Sequence, residues 1–179
     1  MSERDLIVDT LEQLMPQLNW VLTNLEEPQR YKAVGSSNTI ASTAMHMLRD
    51  IDGNVNTVCR GQPDIWTAKG YAAKFGIDPE MKHFAIPHDD QLALRFEPWD
   101  QMLDYMHDVL DGAYDYVKNS SGQEMETIIP NARMDTYHSG DYSKARVIRG
   151  RLQHASIHFG EICVLRGAQG LTGAPEGRV

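Results

Sequence analysis

No stretch of this 179-residue chain is apolar for the roughly 20 residues that a bilayer-spanning helix needs, so a transmembrane helix is not expected. Cysteine is scarce. Cys59 and Cys163 form neither a CxxC pair nor a zinc-ribbon spacing, which excludes a disulfide scaffold and a thiolate zinc site; two buried free thiols in a reducing compartment are expected. Basic clusters are missing too. Against 25 Asp and Glu stand 17 Lys and Arg, giving a net charge of −8, whereas phosphate binding requires a basic patch. The densest run, "KARVIRGR" at 144–151, spreads its charge around a helix. The first residues, "MSERDLIVDTLEQL", are acidic where a secretory leader is basic and then apolar. The expectation is a cytoplasmic protein with no nucleic-acid partner and no membrane partner. Long alternating β patterns, internal repeats and low-complexity tracts are also lacking.

What is present is helical periodicity. Leu6, Ile7, Leu11, Leu14, Leu18, Val21, Leu22 and Leu25 recur at three- and four-residue steps and predict a first helix over 3–26. Pro16 inside it removes a backbone donor and should kink it. "VGSSN" offers N-cap candidates for a second helix over 37–60, ended by Gly61 and Pro63. A short helix over about 64–75 carries Trp66, Tyr71 and Phe75, which fit a core better than a substrate box. Residues 77–95, with Pro79, Pro87 and "HDD", predict a long surface loop, a length often tied to function. Pro98 in the first turn opens a third helix that runs to about Lys118. "NSSGQ" breaks it, and a polar connection with Pro130 follows. "DYS" caps a last helix over 143–167, and a glycine-rich tail fills 167–179. One domain is expected: an all-α four-helix bundle with a short extra helix after the second.

The last helix contains "RLQHASIHFGEI", residues 151–162. At 100° per residue His154 and His158 lie about 40° apart, so both rings can approach one ion from one side. Glu161 shares that face; its carboxylate could hold a ring N–H or act as an acid/base group. The spacing alone fits two polar residues of an ordinary amphipathic helix at least as well; a bundle metal site draws ligands from facing helices, so His46, in the middle of the second helix, is a candidate third ligand. The pattern around it points two ways. The aliphatic residues Ile40, Ala44, Leu48, Ile51, Val55 and Val58 centre opposite His46. Its own face carries Thr39, Ser42, Thr43, Asp50, Gly53 and Thr57, which suits either a solvent face or a polar cleft wall. Asp50 and Asp52 fit helix-surface charges, although Asp50, one turn on from His46, could line such a cleft. His83, His88, His107 and His138 fit exposed or locally hydrogen-bonded histidines.

"AMHMLRDIDGNVNTVCRGQPDIWTAKGYAAKFGI" together with "LQHASIHFGEICVLRGAQGL" resembles the DinB-like superfamily of bacterial proteins, which includes metal-dependent hydrolases and thiol S-transferases. The H-x-x-R-x-x-D pattern is present as His46, Arg49 and Asp52. The HxxxHxGE pattern is present as His154, His158, Gly160 and Glu161. The resemblance spans the chain, strongest at these two segments and weakest between 77 and 140. It implies a four-helix bundle with an unusual connection order, often paired as a homodimer. It also implies a divalent metal (zinc, nickel or iron) held by His46, His154 and His158 with positions left open for chemistry. In such enzymes a low-molecular-weight thiol reacts with an electrophile; by that likeness Arg49 would steer an anionic group and Glu161 would accept or relay a proton. Neither Cys59 nor Cys163 is placed to supply the thiol. A non-catalytic protein that binds metal or a small ligand in a stress response is the competing expectation.

Overall fold

The computed structural model describes residues 2–81, 86–133 and 138–174. Four long helices make the framework: α1 (Glu3–Leu22), α3 (Ile40–Asp52), α7 (Trp99–Asn119) and α9 (Lys144–Ala168). Between them lie the short helices α2 (Glu27–Tyr31), α4 (Ile65–Ala68), α5 (Tyr71–Phe75), α6 (His88–Ala93) and α8 (Gly122–Glu126). The expected all-α four-helix bundle is met in outline only. The protein is mostly helical, but an antiparallel hairpin, β1 (Ile128–Arg133) and β2 (Ser139–Ser143), stands where a polar connection was expected. Asn131 at φ 52° takes up the register shift between Ile129 and Ala132. Pro130 and Gly140 weaken any strand pattern in the sequence, so only the pairing reveals it.

Local chemistry sets where the helices begin. Ser2 caps α1 in a reciprocal capping box with Asp5, and Ser143 caps α9 by accepting from the Arg146 amide. The cap of α3 is Thr39, not a residue of 34–38, and it forms its box with Ser42. α1 continues through Pro16 and stops at Leu22, four residues short of the expected end. Residues Gly53–Cys59 prolong α3 as a wider π-helical segment. The expected short helix over 64–75 is two helices, because Gly70 at φ 65° turns the chain between them.

α1 packs against α7 and α9, and α3 packs against the same two. The first two long helices of the chain therefore face each other across the core rather than lying side by side. That order puts α3 and α9, the histidine-bearing helices, in direct contact. Leu11, Leu18, Leu48, Met102, Met106, Ile148 and Leu152 fill the space between the four.

Asp52 corrects the expectation of a helix-surface charge, for it is 0% exposed. Its carboxylate accepts from the amides of Ile65 and Trp66 at 2.8 and 2.9 Å, from the Tyr105 hydroxyl at 2.8 Å and from Asn56 Nδ2 at 2.8 Å. Four donors replace the water it gave up. They pin the start of α4 to the end of α3 and bring Trp66, Tyr71 and Phe75 into the core beside Tyr105 and Phe96, as expected for those three aromatics.

Candidate metal centre

His154 and His158 stand one turn apart on α9 and meet His46 from α3. The centroids of the His46 ring lie 5.3 Å from His154 and 5.0 Å from His158, with the latter two 4.3 Å apart. One nitrogen from each ring falls within 4.8 Å of the other two. α3 and α9 impose this convergence: capping fixes where each begins, and close packing fixes their relative rotation.

The outward nitrogens are already engaged. His154 Nδ1 lies 3.1 Å from Asp50 Oδ2, and His158 Nδ1 lies 2.6 Å from Glu161 Oε2. An ionised carboxylate only accepts, so each Nδ1 carries a proton and each ring turns its Nε2 towards the other. Those two Nε2 atoms are 2.9 Å apart. Two lone pairs at that separation repel unless a cation, a proton or a metal ion, is shared between them. Carboxylate-held imidazoles facing a common point are the usual arrangement of histidine metal ligands.

Asp50 is itself held. Arg151 Nη1 reaches its carboxylate at 3.2 Å, and Arg151 Nη2 donates to the Arg133 carbonyl of β1 at 2.9 Å. Burial works to raise the Asp50 carboxyl, but the bond from His154 and the charge of Arg151 outweigh it and leave it below the usual carboxylate range. Burial lowers the His158 imidazole; the Glu161 bond pulls the other way, and the neighbouring rings of His154 and His46 add to the lowering. The lowering favours the neutral ring, the form that can ligate a metal.

A pocket of about 180 Å³ opens beside the rings, with His46 and His158 in its wall. Ser42, Thr43 and Met45 continue the wall along α3, while Met81, Gln91, Leu94 and Phe96 close it from the 77–96 segment. The polar face of α3 is therefore neither solvent nor packed core. Ser42 and Thr43 are 6 and 3% exposed, small residues in the wall of a cavity. The expected open loop over 77–95 instead folds in part into α6.

The remaining sequence candidates fall elsewhere. Arg49 lies over the Trp66 indole, its guanidinium carbon 4.4 Å from the ring centroid, and is absent from the described lining of the pocket. His107 pairs with Asn19 Oδ1 at 3.2 Å, and His88 opens α6. His138 lies just before β2, and His83 lies outside the described residues. Cys59 is buried and Cys163 half-buried; both are free, and burial pushes the Cys59 thiol up to about 11. Arg151 was missed. A charge complementary to Asp50 was its one available signal, and nothing in the sequence sets the register that brings the two together.

No protein-family model and no curated protein matches the chain. Among solved structures, a crystal structure of a conserved protein from Enterococcus faecalis superposes with a TM-score of 0.79 at 12% identity, covering 94% of this chain and 97% of that one. At that identity the likeness speaks for the fold.

Proposed function

We propose that His46, His154 and His158 hold one divalent metal ion and that the protein is a DinB-like metal-dependent enzyme, a thiol S-transferase or hydrolase acting on a small molecule. The observation that carries this is the pair of Nε2 atoms 2.9 Å apart, each ring held by a carboxylate at its Nδ1, with the His46 ring beside them. Imidazole ligands suit zinc, nickel and iron alike. When bound, such an ion supplies Lewis acidity that brings a thiol or water towards ionisation at neutral pH.

The chain's own residues do the rest. Asp50 and Glu161 fix the ring orientations through the two Nδ1 protons. Glu161, its side chain 53% exposed, is placed to pass a proton from the site to solvent. The pocket beside His46 and His158 shelters the reacting molecule from water. The likeness to the family also implies a homodimer. Ile157 and Val164, seven residues apart on α9 and 59 and 71% exposed, offer apolar surface for one, and sedimentation would show it.

A second reading is binding without turnover. Asp50 and Glu161 are both engaged by imidazole N–H groups, which favours a holding site over one with an uncommitted base. Elemental analysis of untagged protein, followed by a screen of low-molecular-weight thiols against a generic electrophile, tests both. One metal per chain with metal-dependent thiol consumption supports the enzyme. Metal and tight ligand binding without consumption supports the second reading. Protein without metal, and unable to take it up, refutes both.

A further inference from the structure

We infer that Arg151 is a positioning residue of the metal centre: it clamps the Asp50 carboxylate so that the His154 ring meets the ion at a fixed angle. The inference rests on the metal reading above and adds a residue outside the ligand set that governs how tightly the site holds its ion.

Asp50 Oδ2 lies 3.1 Å from His154 Nδ1, and Arg151 Nη1 reaches both carboxylate oxygens, at 3.3 and 3.2 Å. Asn54 Nδ2 adds a contact of 3.2 Å to Oδ1. The other arm of the guanidinium, Nη2, donates to the Arg133 carbonyl at 2.9 Å. Arg151 is thereby seated against the backbone of β1 as well as against a side chain. A planar fork with two acceptors in set directions leaves the carboxylate little freedom to turn. The side chains of Arg151 and Asp50 are 9 and 14% exposed, so water screens the pair little. Glu161, which holds His158, is 53% exposed instead. The two histidines of α9 are therefore held unequally. His154 is fixed by a chain of groups that ends on backbone, His158 by a carboxylate in contact with solvent.

Two effects of the Arg151 charge oppose each other. It repels a cation at the histidines, and it keeps Asp50 aimed at His154. The first is largely cancelled, because Asp50 meets the guanidinium at hydrogen-bond distance. The second remains. Without Arg151 a buried carboxylate loses its charged partner and is free to turn, and His154 Nδ1 loses a fixed acceptor. Positioning outweighs repulsion, so removing Arg151 weakens metal binding.

The test titrates zinc into the full chain, stripped of metal beforehand, in competition with a chromophoric chelator. Arg151→Gln should weaken binding by about tenfold, the lower end for loss of a group that supports a metal ligand, while zinc stoichiometry stays at one. Arg151→Lys keeps the charge but cannot span both acceptors, and should lose less, about threefold. In an Asp50→Asn background both substitutions should change binding by less than about twofold, since the group they act through is already altered. Arg149→Gln is the control with no change expected, its side chain being 50% exposed in a pair with Glu3 on the same helix system. A purely structural role would lower the melting point of the zinc-free protein and act equally in both backgrounds. Should the glutamine variant fail to fold, the lysine variant carries the same cycle. Unchanged or tighter zinc binding in a folded Arg151 variant, or equal losses with and without Asp50, overturns the inference and leaves the metal reading standing. Unmodified protein that takes up no zinc overturns the metal reading, and the inference falls with it.

Discussion

At the scale of single residues the site depends on carboxylates as much as on histidines. Asp50 has a side chain only 14% exposed and binds both His154 and Arg151, whereas Glu161 is 53% exposed and binds His158 alone. Asp50→Asn should therefore weaken metal binding by about 10- to 100-fold, read by competition with a chromophoric chelator. Glu161→Gln should cost less, since water can replace part of what it supplies. The cysteines differ as their surroundings do. With its thiol held up to about 11 by burial and only 3% exposed, Cys59 should resist a thiol reagent at pH 8 in the folded protein. Half-buried Cys163 should react first, and mass spectrometry of the labelled peptides would show the order. Asp50 was within reach of the sequence, one turn from His46. Its partner Arg151 was not, because helical spacing relates residues on one helix and says nothing of the helix opposite.

Individual elements bear on the site through their junctions. α3 presents His46 and Asp50 on one side and Asp52 on another, so one helix both builds the site and anchors α4. Asp52→Ala would strand the amides of Ile65 and Trp66 and the Tyr105 hydroxyl. We expect a loss of about 3 kcal/mol or more in urea unfolding, with the near-ultraviolet signal of Trp66 and Tyr105 changed. The hairpin reaches the site through the Arg133 carbonyl, which accepts from Arg151 Nη2. It also runs straight into α9, where the Lys144 amide donates to the Thr127 carbonyl at 2.9 Å. The start of α9 was legible, since "DYS" supplies Ser143 as a cap. The strands leading to it were not, because Pro130, Asn131 and Gly140 belong to turns by local preference and only their cross-strand pairing makes them a sheet.

For the whole molecule, a metal held by His46, His154 and His158 would tie together α3 and α9, two helices distant in sequence. Ligand binding to the folded state alone stabilises by about 4 kcal/mol when free metal is 1,000 times its dissociation constant. Melting of the holo-protein should accordingly occur well above that of the chelator-treated protein. His158→Ala should abolish that difference while leaving the apo melting point close to unchanged. Without metal, acid should destabilise the fold near the ordinary imidazole range. His158 is lowered in the folded state, chiefly by burial, so the unfolded chain binds the proton more readily. Its contribution is then complete above a pH of about 6.5, the unfolded value, and declines as pH falls below it. Chemical unfolding of the chelator-treated protein across that range would show the decline.

The sequence by itself determined the four long helices, which residues carry imidazole, and that His154 and His158 share a side of one helix. These follow from apolar spacing, caps and the 3.6-residue turn, all of them local. The tertiary structure alone decided whether the polar side of α3 met water or a cavity, that Asp52 lay inside and that Arg151 faced Asp50. The reason is that a helix's own sequence fixes which residues lie together on its surface, while its rotation against a neighbour is fixed by how all the core side chains fill space at once.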